Sequence, residues 1–141
     1  MRAILGEDAV TLAPGALPAT YEFELDARPL LAVVTFEILE LDPLYSPEIT
    51  INGRALGAIS VHLPDLADPG FEGAVLPLEP DMRFHYAGWL RCQKIIRGSA
   101  LEAGLNRLVV QPNSHSAPVA IRAVEIQLKH NWHNLHYKLV P

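Results

Sequence analysis

The densest group of side chains able to hold a ligand is His85-Tyr86-Ala87-Gly88-Trp89-Leu90-Arg91-Cys92-Gln93. Read as a strand, it sets His85, Trp89, Arg91 and Gln93 on one face and Tyr86, Leu90 and Cys92 on the other. An indole ring can stack on the apolar face of a sugar, while guanidinium and carboxamide groups hydrogen-bond its hydroxyls. Neutral glycans are recognised by that chemistry. The same spacing also fits a Trp89 packed in the core beside a solvated Arg91. Aromatic residues make up only 7% of the chain, too few for a flat platform matching crystalline polysaccharide.

Other segments carry weaker signals. The C-terminal stretch Lys129-His130-Asn131-Trp132-His133-Asn134-Leu135-His136-Tyr137 spaces three histidines by three. In a strand such residues lie ~10 Å apart on opposite faces. In a helix they fan over ~120°, so at most two reach one metal. With no carboxylate or cysteine partner, no metal site is expected. Trp132 joins the candidate ligand residues, and the tail is expected to lie over the fold or against a second subunit. Asn113-Ser114-His115-Ser116 reads as a polar turn from which Asn113 and His115 can also rim a cleft. Adjacency of Ser114 and His115 does not make a catalytic dyad, which needs spatial geometry and an orienting acid. Asp65, Asp68 and Glu72 offer oxygen ligands for a structural calcium without the spacing of an EF-hand loop, so no cofactor is expected. Cys92, inside an alternating stretch, reads as an inert buried thiol.

Enzyme signatures are absent: no P-loop, dinucleotide glycine pattern, His-Glu-x-x-His or Gly-x-Ser-x-Gly occurs. Glu22, Glu24, Glu37 and Glu40 could pair their carboxyls, yet they alternate with core residues as a solvated sheet face does. The expected role is therefore non-catalytic.

The elements that must position these residues are strands. Tyr21, Phe23 and Leu25 alternate with polar neighbours, as do Val34, Phe36 and Ile38, and Val124, Ile126 and Leu128. Leu30–Leu41 is apolar enough to be covered partly on both faces, by other parts of the fold or by a subunit contact. A phase slip at Arg122-Ala123 predicts a bulge. Asn52-Gly53 predicts a tight hairpin, with a return strand through Ile59, Val61 and Leu63. Residues 64–83, with four prolines, read as a crossover loop, and Phe84–Ile96 as one long strand. Ser99 and Glu102 suggest a capping box for one short helical turn stopped by Gly104. A strand follows from Leu105 to Val110. These elements predict an all-β antiparallel sandwich, a jelly roll of about eight strands, as one domain over residues 1–141.

Composition agrees. Of 141 residues, 50% are hydrophobic and 19% charged, which excludes extended disorder. No apolar run approaches the ~18 residues of a membrane span. A net charge of −5 argues against a nucleic-acid partner. One cysteine excludes an intrachain disulfide framework. Met1-Arg2-Ala3-Ile4-Leu5-Gly6-Glu7-Asp8 lacks a signal-peptide core, so the chain as it stands reads as cytoplasmic, and as extracellular if it is a domain of a larger exported protein.

Two segments resemble a known group. Ile51-Asn52-Gly53-Arg54-Ala55-Leu56-Gly57 is similar to a hairpin of galactose-binding-like jelly rolls. These include the sugar-binding domain of family 2 glycoside hydrolases and many carbohydrate-binding modules. Leu101-Glu102-Ala103-Gly104-Leu105-Asn106-Arg107-Leu108-Val109-Val110 is similar to a later segment of the same group. The resemblance implies a jelly roll and a non-catalytic, carbohydrate-binding-like role. It transfers no ligand-binding residue, since the matched positions are structural. The alternative is a protein-interaction or assembly domain forming a homo-oligomer. The partner is then either a glycan or a protein, with no nucleic acid and no membrane.

Overall fold

The computed structural model describes residues 2–62, 74–78 and 83–130, with backbone alone at residues 43, 62, 74–78 and 83–87. Among these residues the chain forms an all-β sandwich. One sheet holds β1 (Arg2–Gly6), β2 (Val10–Leu12), β4 (Leu31–Leu39), β7 (Ser60–His62), β10 (Trp89–Arg97) and β12 (Val119–Lys129). Its order is β1-β12-β4-β10-β7, with β2 also pairing β12. The second sheet holds β3 (Ala19–Leu25), β5 (Glu48–Ile51), β6 (Arg54–Ala58) and β11 (Gly104–Gln111) in the order β3-β11-β5-β6. All these pairings are antiparallel.

Alternation explains the core. In β4 the even positions Ala32, Val34, Phe36 and Ile38 are buried, and the odd positions are half-buried. Ile121, Val124 and Ile126 of β12 join them against Ile49, Ile51, Leu108 and Val110 of the facing sheet. Each full burial of such a side chain contributes about 1.5–3 kcal/mol. The outer face of β4 is thus half-covered by neighbouring side chains rather than sealed.

The predicted bulge is present. Register between β12 and β4 shifts between Arg122 and Glu125, and Ala123 adopts φ 53°. That extra residue lets Arg122 and Glu125 both face outward while Ile121 and Val124 face the core. The Asn-Gly hairpin also forms, with Asn52 at φ 50° and Gly53 at φ 81° joining Ile51 to Arg54. Both central residues at positive φ match the twist of the paired strands.

Four expectations need correction. The hairpin's return strand is Arg54–Ala58; past the buried Ile59 the chain crosses to the other sheet, where Val61 belongs to β7 and pairs with Cys92. The supposed crossover loop contains β8 (Ala74–Leu78), which pairs with β9 (Arg83–Ala87) in a separate two-stranded sheet. Both strands there are edges, where Pro77 is tolerated. The long strand expected over Phe84–Ile96 therefore divides at Gly88, β9 pairing with β8 and β10 with β4. Breaks of this kind raise the strand count to twelve among the described residues, above the eight expected.

The fourth concerns helical turns. Two short 3-10 turns occur among the described residues, Pro43–Tyr45 and Gly98–Ala100. Arg97, not Ser99, precedes the second turn, and no side chain caps it. The Glu102 amide instead donates to Asn106 Oδ1 at 2.9 Å. A capping box is displaced here because Asn106 supplies a better-placed acceptor.

Candidate ligand-binding face

The outer face of the larger sheet gathers three of the candidate side chains, Trp89, Arg91 and Gln93. Because directly paired residues of antiparallel strands share a face, register lines them into rows. Across β10, β4 and β12 these are Trp89–Leu39–Ala120, Arg91–Glu37–Arg122, Gln93–Thr35–Glu125 and Ile95–Val33–Gln127. From β1, Ile4 and Arg2 extend the last two rows beyond β12. Trp89, Arg91 and Gln93 share one face, as their spacing predicted, and the structure makes it the outer one.

Trp89 is half-buried, but not in the core. The Arg122 guanidinium carbon lies 3.8 Å from the centroid of its ring. Arg122 Nε also sits 3.2 Å from Glu37 Oε1, so one side chain ties β12 to β4 and covers one ring face. Cation–π contact of this kind contributes about 0.5–1 kcal/mol at exposed sites. One face of the indole is therefore occupied by a guanidinium group.

Beside this ring lies a depression of about 270 Å³, lined among others by Arg2, Thr35, Glu37, Arg91, Glu125 and Gln127. Ala123, at the bulge, lines it too, and its amide donates to Glu7 O at 3.3 Å. Arg2 Nε and Glu125 Oε2 are 3.9 Å apart, a loose pair between partly exposed groups. Arg91 is exposed and makes no ion pair among the described residues. Donors and acceptors alternate around a small basin.

Of the expected site residues whose side chains are described, Arg91 lines the depression, Gln93 stands in the same row as its lining residues Thr35 and Glu125, and Trp89 stands one row away from Arg91. His85 pairs with Leu76 in the separate β8–β9 ladder, and its side chain lies outside the described residues. The chain bend at Gly88 removes the simple parity that linked it to Trp89. Asn113 and His115 lie in the turn between β11 and β12. Asn113 Oδ1 accepts from the His115 amide at 2.9 Å, and its carbonyl accepts from the Ser116 amide at 3.0 Å. The Asn113 side chain is thus spent on its own turn, whereas the His115 ring meets Tyr45 at 5.9 Å between centroids. Trp132, His133 and His136 lie outside the described residues, as do Asp65, Asp68 and Glu72. Among the described residues no group of three metal-ligating side chains converges, and no helix is long and apolar enough to cross a membrane.

Arg2, Thr35, Glu37, Arg122, Glu125 and Gln127 were not singled out from sequence as ligand residues. Parity marks their faces, but only the β12–β4 and β1–β12 pairings bring them to Arg91. Glu22 and Glu24 stand on β3 and Glu37 on β4, in opposite sheets, so the four glutamates do not converge on one site.

Cys92 is fully buried among the core side chains, with Sγ 3.9 Å from Leu90 O. Burial pushes its thiol from 9.0 up to about 12. The folded state therefore holds the proton more tightly than the unfolded chain. Its contribution to stability is complete below about pH 9 and is lost as pH rises towards about 12. Burial acts in the same sense on Tyr21, above its ordinary 10.0. Urea unfolding of the wild type and Cys92→Val across this range should show a smaller alkaline loss in the variant. At neutral pH, an aromatic disulfide reagent should modify Cys92 only in denaturant; rapid reaction in the native protein contradicts the burial argument.

No family model matches the chain, and no curated protein does. Solved structures similar to it include two catalytic domains of a GH87 alpha-1,3-glucanase, each with one aspartate replaced by alanine. One is in complex with tetrasaccharides and the other, a different variant, with nigerose. Each is 10% identical to this chain with a TM-score of 0.41, and the match covers 92% of this chain. The chain spans 26% of the length of those domains.

Proposed function

We propose that this chain is a non-catalytic carbohydrate-binding β-sandwich module that holds its ligand on the outer face of the six-stranded sheet. The observation that carries this reading is the polar depression beside Trp89, in which carboxylates, guanidinium groups, an amide and a hydroxyl are interleaved. Sugar hydroxyls are both donors and acceptors, so they need this mixture rather than a single sign of charge. The Trp89 indole, one row away from Arg91, adds an apolar ring to the same face. Glu37 is hydrogen-bonded to Arg122 and Glu125 lies near Arg2, an arrangement suited to fixed recognition rather than to acid–base turnover. The order β1/β2-β12-β4-β10 facing β3-β11-β5-β6 supports the jelly-roll topology implied by the resemblance to galactose-binding-like domains.

Glycan-array screening, followed by NMR titration of a hit, tests the reading. Shifts should cluster on Arg2, Thr35, Arg91 and Gln127, with a dissociation constant of about 10⁻⁵ to 10⁻³ M for so open a site. Gln127→Ala should weaken binding by about threefold to tenfold through loss of a hydrogen-bond pair. Arg107→Gln, on the other sheet, should leave it unchanged. No binding across plant, microbial and animal glycans would sink the proposal. Self-association abolished by Ile95→Glu, without glycan binding, would instead favour an assembly domain, since Ile95 is 59% exposed on the same face.

A further inference from the structure

Resting on that carbohydrate-binding reading, we infer that the ligand is an acidic glycan, a chain carrying uronate carboxylates, and that Arg91 with Arg2 receives a carboxylate in the depression. The inference comes from how charge is divided over the fold. The protein as a whole is acidic, with 11 basic and 16 acidic residues. The outer face of the six-stranded sheet inverts this balance. Register places Arg91 and Arg97 of β10, Arg122 and Lys129 of β12, and Arg2 of β1 on that face. Among the described residues that these registers pair, Glu37 and Glu125 are the acids on that face. Among the described paired residues, five basic side chains thus share one face with two acidic ones.

The two glutamates do not neutralise the whole group. Glu37 is engaged by Arg122, and Glu125 faces Arg2 at 3.9 Å, too far for a hydrogen bond. Arg91 lines the depression with no acidic partner among the described residues. Its planar fork suits a carboxylate, which it can bind through two parallel hydrogen bonds. Gln127 and Thr35, in the same basin, remain for the ring hydroxyls. Beyond the depression, Arg97 and Lys129 continue the positive face along the sheet, where a repeating anionic chain would extend.

A matched pair of probes separates charge from shape: oligogalacturonate and its fully methyl-esterified form. An array of glucuronate, mannuronate and guluronate chains runs alongside a neutral glycan panel. Preference for uronate chains over neutral ones, with at least tenfold weakening on esterification of a bound chain, is the expected result. Binding should also weaken between about 0.1 M and about 1 M salt, as the Debye length falls from about 10 Å to about 3 Å. Arg91→Gln and Arg2→Gln should each cost about tenfold towards the acid form and little towards the ester. Arg107→Gln, on the opposite sheet, controls for net charge, and an unchanged melting temperature verifies folding. Equal binding of neutral and acidic chains overturns this inference while leaving the carbohydrate module standing. Binding of no glycan at all overturns both, as does self-association through this face without glycan binding.

Discussion

Asn106→Ala should lower stability by about 3–5 kcal/mol, because a buried amide is removed and four part-buried hydrogen bonds are lost at once. Asn106 is 1% exposed, a polar side chain in a row of core residues on β11. Its Oδ1 accepts from the Glu102 amide at 2.9 Å and from Asn52 Nδ2 at 2.9 Å. Its Nδ2 donates to Glu102 O at 2.9 Å and Gly104 O at 3.1 Å. The amide therefore folds the Glu102–Gly104 turn around itself and joins it to the Asn-Gly hairpin. Aspartate would keep the acceptors but lose both donations and bring a charge into the core, so Asn106→Asp should do no better. Asn52 completes the clasp, accepting from the Arg107 amide at 2.8 Å and donating to Ala100 O at 3.1 Å. It is exposed, and water can replace its partners, so Asn52→Ala should cost only about 1 kcal/mol. Thermal unfolding should show a melting point lower by roughly 10–15 °C for Asn106→Ala. A loss no larger than that of Asn52→Ala would refute the buried-clasp account.

Gly98→Ala should be at least as damaging, at about 3 kcal/mol or more, for a steric reason that repacking cannot relieve. A Cβ on Gly98 would collide with Pro29 O and stand 2.8 Å from Leu30 O. Both are backbone atoms, and this backbone is tied down. Gly98 N donates to Leu30 O at 3.1 Å, and Leu30 N donates to Lys129 O at 2.7 Å. Moving Leu30 away would thus break the link between the start of β4 and the end of β12. Gly53 is the useful contrast: its φ is 81°, yet nothing lies within 4 Å of an added Cβ. Gly53→Ala meets only the conformational penalty of about 1–2 kcal/mol. Urea titration of both variants should rank Gly98→Ala well below Gly53→Ala in midpoint. The reverse order would show that the strand entry at Leu30 is softer than its hydrogen bonds imply.

Much of the architecture was legible residue by residue. Strand parity in β3, β4 and β12 identified the buried positions, since burial on one face enforces a period of two. The bulge at Ala123 showed as a slip in that period, and Asn52-Gly53 as a hairpin whose φ values few other residue pairs accept. Prolines were read too strictly: Pro77 concealed β8, because a proline is excluded from a central strand but not from an edge. The split of Phe84–Ile96 was hidden for another reason. Both halves have strand composition, and only their different partners separate them.

For the site, sequence alone determined that Trp89, Arg91 and Gln93 share one face, which follows from alternation along one strand. Tertiary structure decided what they face. The Trp89 ring meets Arg122 across a strand that lies between them, with 33 residues of chain separating the two. Arg91 shares its basin with Arg2, Glu37 and Glu125, drawn from three other strands. Local periodicity is set by backbone geometry within a few residues, so it survives in the sequence. Strand order is set by long-range pairing that buries both inner faces at once, and no short stretch of residues encodes which outward face will neighbour which.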